Sequence, residues 1–213
     1  MKKLMFAVMV AILPVMASAQ SEGLFARKKI KTQQDMSAYL YGAVKEENGK
    51  VVFKKTIAVP GKSKKAIFQS VMQWANLRYQ PEVSHGEWSD ADFYKNYEYA
   101  TIKSADEATG TIVCRGDEEV VFSNKTLSKD FCRMNYNLIV EIKDNEVTAT
   151  VTNISYQYSL SETPERIAAE DWITDKEAIN KKGQLMRISG KFRVKTIDIT
   201  NELFKEITES VTE

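Results

Sequence analysis

One histidine, His85, stands among 213 residues. A metal site built on several imidazoles is therefore excluded, and a histidine general base would have to be this residue. There is no Gly-x-Ser-x-Gly elbow and no cluster of metal ligands, and Asp90 and Asp92 lack the glycine and closing glutamate of a calcium loop. Hydrolysis is left without its usual parts, so the chain reads as a non-enzyme that carries no cofactor and no metal. A charge excess is missing too: 30 basic residues face 29 acidic ones. Without a positive surplus to neutralise phosphates, nucleic acid is set aside as a partner. Two cysteines, Cys114 and Cys132, allow at most one internal disulfide.

What is present begins with an export signal. Lys2 and Lys3 precede an apolar run from Leu4 to Val15, and Ala17-Ser18-Ala19 places small residues where a signal peptidase cuts. The run is too short for an ordinary membrane span, no cysteine follows the cut, and no later apolar run is long enough to cross a bilayer. The expectation is cleavage after Ala19 and a periplasmic or secreted protein. The remaining residues suit one domain, with 43% hydrophobic and 28% charged residues. We divide the chain into a signal peptide (1–19), an N-terminal arm (20–48) and a single α+β domain (49–213) with a C-terminal helical segment (163–213).

The chain is organised around 131–159, two alternating segments joined at Asp144-Asn145. A two-residue loop sets Lys143 opposite Glu146, which places Ile142 against Val147, Val140 against Ala149, Leu138 against Val151 and Tyr136 against Asn153. One face is apolar and needs helices; the other is left for water or a partner. That second face carries Arg133, Asn135, Asn137, Thr150, Thr152 and Tyr156, side chains that make oriented hydrogen bonds and aromatic contacts. They are the candidate ligand or partner site. If Arg133 and Tyr156 both lie there, replacing both with alanine leaves the melting temperature nearly unchanged.

Around the hairpin, Asp35 to Val44 reads as a short helical or irregular segment, and Val51, Phe53, Ile57 and Val59 mark a strand. Ser63 caps a helix reaching Leu77, with Ile67, Phe68, Val71, Met72, Trp74 and Ala75 as its stripe. Arg78 to Lys95 has no clear period. Short strands follow, with a turn at 106–110 and a second at Gly116-Asp117. In that meander Cys114 and Cys132 flank a middle strand, too far apart to bond. Thr163-Pro164-Glu165 opens a helix of only fair spacing, with Gly183 as its stop. Ile199, Leu203, Phe204, Ile207 and Val211 mark a C-terminal helix that begins between Lys191 and Asp198.

Strand, helix, meander and long final helix describe two architectures: the fold of the TATA-binding protein and the helix-grip fold. The run 39–44 (YLYGAV), then 49–53 (GKVVF), Pro60-Gly61-Lys62-Ser63, Trp74, 195–198 (KTID) and Leu203-Phe204 resemble the exported bacterial family called domain of unknown function 4468. The resemblance implies a TATA-binding-protein-like α+β fold, an antiparallel meander sheet with helices on one face. It implies no DNA binding and carries over no catalytic residue. Where it leads one to expect an arginine and an aromatic residue after the central turn, this chain has Thr148 and Ala149.

Three functions compete. The first is an exported non-enzymatic module that binds an envelope protein or small ligand through the polar sheet face. The second is a helix-grip carrier holding an apolar ligand between the last helix and the sheet. The third, a hydrolase, lacks a motif.

Overall fold

Turn chemistry sets the sheet. Asn145 takes the left-handed conformation that asparagine tolerates (φ 62°), and Lys143 pairs with Glu146 across it. In the computed structural model, which describes residues 36–79, 100–125, 128–158 and 166–212, this turn joins β5 (Ser128–Lys143) to β6 (Glu146–Tyr158). The expected pairs Ile142 with Val147, Val140 with Ala149 and Leu138 with Val151 are all present. Residues 1–35, 80–99, 126–127, 159–165 and 213 lie outside the described part, and with them the signal sequence, His85, Asp90, Asp92 and the Thr163-Pro164-Glu165 helix start.

The sheet is antiparallel throughout, in the order β1-β2-β6-β5-β4-β3, with β7 also pairing β6. Its other strands are β1 (Lys45–Glu47), β2 (Lys50–Ala58), β3 (Thr101–Asp106), β4 (Thr111–Lys125) and β7 (Arg166–Ala168). Residues Tyr39–Glu213 make up one compact unit. Ser63 Oγ accepts from Ala66 N (3.3 Å) to cap α1 (Lys64–Arg78), which buries Ile67, Phe68, Val71 and Ala75. The final helix α3 (Ser189–Thr212) is longer than its apolar stripe implied, and buries Phe192, Thr196, Ile197, Thr200, Leu203, Phe204, Ile207 and Val211. Both helices meet the sheet face that carries Cys114, Met134, Tyr136, Leu138, Val140 and Ala149, all buried.

Three expectations are corrected. Gly116-Asp117 is no turn: β4 runs through it unbroken. Gly116 is there because Tyr136 lies on it across the strand pair; a Cβ would sit 2.0 Å from the ring's Cζ. β4 and β5 are therefore direct neighbours, with Cys114 beside Leu138 and Cys132 beside Val120. The cysteines are free and buried, and six residues of strand, roughly 20 Å, separate them. No intervening strand is involved.

The second correction concerns the end of the hairpin. Asn153 adopts φ 51°, and the register slips between Asn137 with Thr152 and Asn135 with Ser155. This bulge adds a residue to β6, so every side chain beyond it changes sides. Tyr156 pairs with Met134 rather than Arg133.

The third lies in the C-terminal segment. In place of a helix after Pro164 come β7, a 3-10 turn (Ala169–Asp171), the one-turn helix α2 (Asp175–Ala178) and a loop to Ile188. Weak helical spacing there reflects several short elements. Arg193, fully buried, ties them to Tyr39–Val44, donating to Tyr39 O (2.6 Å), Leu40 O (2.7 Å), Ile173 O (2.7 Å) and Asp175 Oδ1 (2.6 Å). Residues 38–44 form turns rather than a helix.

Candidate binding face

The sheet face opposite α1 and α3 carries the odd-numbered residues of β4 and β5. Strand pairing arranges them in rows across the sheet: Glu119, Arg133, Gln157 and Arg166; then Asp117, Asn135 and Ser155; then Arg115, Asn137 and Thr152; then Val113, Ile139, Thr150 and Lys54. Of the six residues singled out in the sequence, five lie in these rows. Tyr156 does not. The bulge turns it under α3, where it is 1% exposed, its hydroxyl is hydrogen-bonded to Thr196 Oγ1 (2.7 Å), and its ring meets Phe192 edge-on at 5.1 Å. Tyr158 is turned the same way, against Phe192 and Lys191.

Two of the five are floor rather than surface. Arg133 is 3% exposed and forks onto Asp117, Nε to Oδ1 at 3.2 Å and Nη2 to Oδ2 at 2.5 Å. Asn135 adds Nδ2 to Asp117 Oδ1 at 3.2 Å. The carboxylate is thus held by a fork and an amide, the geometry in which a buried charge pair is satisfied. Alanine at Arg133 would take the arginine fork from a buried carboxylate, and alanine at Tyr156 would empty a packed position, so the double replacement is expected to lower the melting temperature rather than leave it unchanged.

Asn137, Thr150 and Thr152 are half-buried in the neighbouring rows of the same face, and Thr152 Oγ1 donates to Val51 O (3.3 Å). Two further arginines flank them. Arg115 is less basic than usual, chiefly from burial and then from the neighbouring Arg166, with Asp117 opposing. Asp117, Arg115, Glu119, Gln157 and Arg166 were not found in the sequence. The first three were hidden by a glycine and aspartate that imitate a turn; treated as one strand, 111–125 puts Asp117 and Arg133 on the same face.

A second polar group lies on the helix side. Arg78 Nη2 donates to Glu118 Oε1 (2.6 Å), Tyr136 OH donates to the same oxygen (3.1 Å), and the Tyr79 and Tyr136 hydroxyls are 3.3 Å apart. Trp74 Nε1 donates to Glu206 Oε2 (3.0 Å), which also pairs with Arg78 Nε at 3.4 Å without hydrogen-bond geometry. Burial raises the Glu118 carboxyl above its ordinary range, against the pull of Arg78. Through its Oε1 this glutamate ties α1 to β4, and an open groove of about 610 Å³ runs alongside between α1 and α3.

Residues 53–157 match the family described as "Domain of unknown function (DUF4468) with TBP-like fold". The chain is similar to the crystal structure of a DUF4468 family protein from Bacteroides ovatus ATCC 8483, at 34% identity and a TM-score of 0.69, covering 83% of this chain and 95% of that one. It shares its fold with a TBP-like protein from Parabacteroides distasonis ATCC 8503, at 21% identity and a TM-score of 0.60, covering 78% and 96%. No curated protein matches the sequence.

Proposed function

Because the chain belongs to the DUF4468 family, whose TBP-like fold assigns no chemistry by itself, we propose its function from the site: an exported, non-enzymatic module that binds an envelope protein or a small ligand through the polar sheet face opposite α1 and α3. The observation that carries this reading is the buried Asp117–Arg133–Asn135 group, which shares one sheet face with Asn137, Thr150 and Thr152 in the neighbouring rows. A buried ion pair adds little net stability. Its use here fits the positioning of a polar surface better than the maintenance of a solvated one. The carrier reading places an apolar ligand between α3 and the sheet, where Tyr156, Phe192, Leu203 and Ile207 are already buried; that packing favours the face. Export is supported by the lysine start, apolar run and Ala17-Ser18-Ala19, with the chain periplasmic or secreted after cleavage. Among the described residues no helix is long and apolar enough to cross a membrane.

The test is the pair Asn137→Ala and Thr150→Ala, which leaves the floor intact. The double variant is expected to melt within a few degrees of wild type and to lose at least about tenfold in affinity for whatever the wild type retains from envelope extracts. A stable variant that retains the same species equally well would overturn the reading.

A further inference from the structure

From Ala178 to Ile197 the chain holds six basic residues and no acidic one. Two of the six are engaged inside the fold: Arg193 is buried, and Lys191 Nζ donates to Asp130 Oδ2 (2.6 Å) and Tyr158 OH (2.7 Å). Lys181, Lys182 and Arg187 are exposed, all in the loop between α2 and α3. The same loop exposes Met186 (46%) and Ile188 (50%), and Tyr41 (63% exposed) leans on it with its hydroxyl 3.4 Å from Asn180 O.

This exposure does not come from a loose backbone. Asn180 Oδ1 accepts from Lys182 N (2.8 Å) and Gln184 N (3.1 Å), Gly183 turns the chain at φ 73°, and Met186 N donates to Ala178 O (2.8 Å). Ser189 Oγ then fastens the loop's end to Glu177 O (2.8 Å). Fixed apolar tips set among cations are therefore presented outward at the cost of exposing them to water.

We propose that this loop docks on the surface of an anionic lipid bilayer, Met186 and Ile188 entering the headgroup region while Lys181, Lys182 and Arg187 meet the lipid charges and Tyr41 lies at the boundary. Small apolar tips beside dispersed cations match a surface of mobile, diffuse negative charge. Of the neighbouring carboxylates, Asp175 is paired with Arg193 and Glu177 with Lys176, while Asp198 accepts from the Tyr39 hydroxyl and keeps its charge, one negative against the three exposed cations of the loop. The inference is independent of the sheet-face reading and uses a different part of the molecule.

Flotation of the chain from Gln20 onward, which keeps the whole unit Tyr39–Glu213, tests it with two kinds of vesicle: phosphatidylcholine alone, and phosphatidylcholine with about one third phosphatidylglycerol. Binding is expected to the second only, and to be released near ~0.5 M salt as the charges are screened. Each cation contributes roughly fivefold to partitioning, so Lys181→Glu/Lys182→Glu/Arg187→Glu lowers it by at least about 100-fold. Met186→Ser/Ile188→Ser lowers it too, while both variants, altered only at exposed positions, keep the wild-type melting curve. Equal binding to the two vesicles, or full binding by either folded variant, overturns the proposal; an acidic protein as the true partner would show as the first of these.

Discussion

Glu118 keeps its proton more firmly than an ordinary glutamate because burial penalises its charge, and Arg78 and Tyr136 offset that penalty only in part. The folded protein therefore binds this proton more tightly than the unfolded chain does. Stability from the group is full below the ordinary value of 4.5 and is lost as pH rises through the raised folded value. Glu118→Gln keeps an acceptor for Arg78 and removes the titration. Urea unfolding between about pH 4 and pH 7 is expected to show the wild type losing its advantage over the variant as pH rises; a difference that does not change with pH would mean that Glu118 ionises normally. Neither this carboxylate nor Asp117 was legible as a site residue. Both follow Gly116, and a glycine followed by an aspartate reads as a turn unless one knows that a tyrosine ring from the next strand occupies the space a Cβ would take.

The central hairpin was legible to its turn and through its first seven cross-strand pairs, because Asp144-Asn145 and strict alternation leave one register that buries all the apolar residues together. Its last third was not. Thr152-Asn153-Ile154-Ser155 continues a strand-like composition, and the only trace of the bulge is an asparagine, which tolerates positive φ but does not demand it. Substitution at Asn153 measures what that conformation costs. Asn153→Gly is expected to leave the melting temperature within a few degrees of wild type. Asn153→Val, a β-branched residue forced into the left-handed region, is expected to lose about 1–2 kcal/mol. Equal melting of the two variants would show that the bulge moves elsewhere when its asparagine is lost. The long final helix, by contrast, declared itself through a stripe of spacing three and four, and only its first turns, where Ser189 and Gly190 precede the stripe, escaped notice.

Arg193 joins pieces of chain that are far apart in sequence: two carbonyls near residue 40, one at Ile173, and the carboxylate of Asp175. Arg193→Ala removes all four of these hydrogen bonds and is expected to cost about 3–5 kcal/mol. Arg193→Lys recovers little, since an ammonium cannot reproduce the fork. In both variants the Tyr39–Val44 segment is expected to become the first site of proteolysis; cleavage elsewhere first would mean that other contacts hold it. This long-range junction was invisible in sequence, where arginine in an amphipathic helix reads as solvated. The order of elements and the sidedness of the sheet were readable because they follow from alternation and from the length of the connections. One feature of the sheet bears on how the molecule is made. Cys114, whose thiol is pushed up to about 12 by burial, and Cys132 sit apart on neighbouring strands with apolar cover. Nothing in the fold waits for an oxidant, so the same native state is reached under reducing and oxidising conditions. A chain of this kind folds without a disulfide-forming pathway and is indifferent to the redox poise of whatever compartment it folds in.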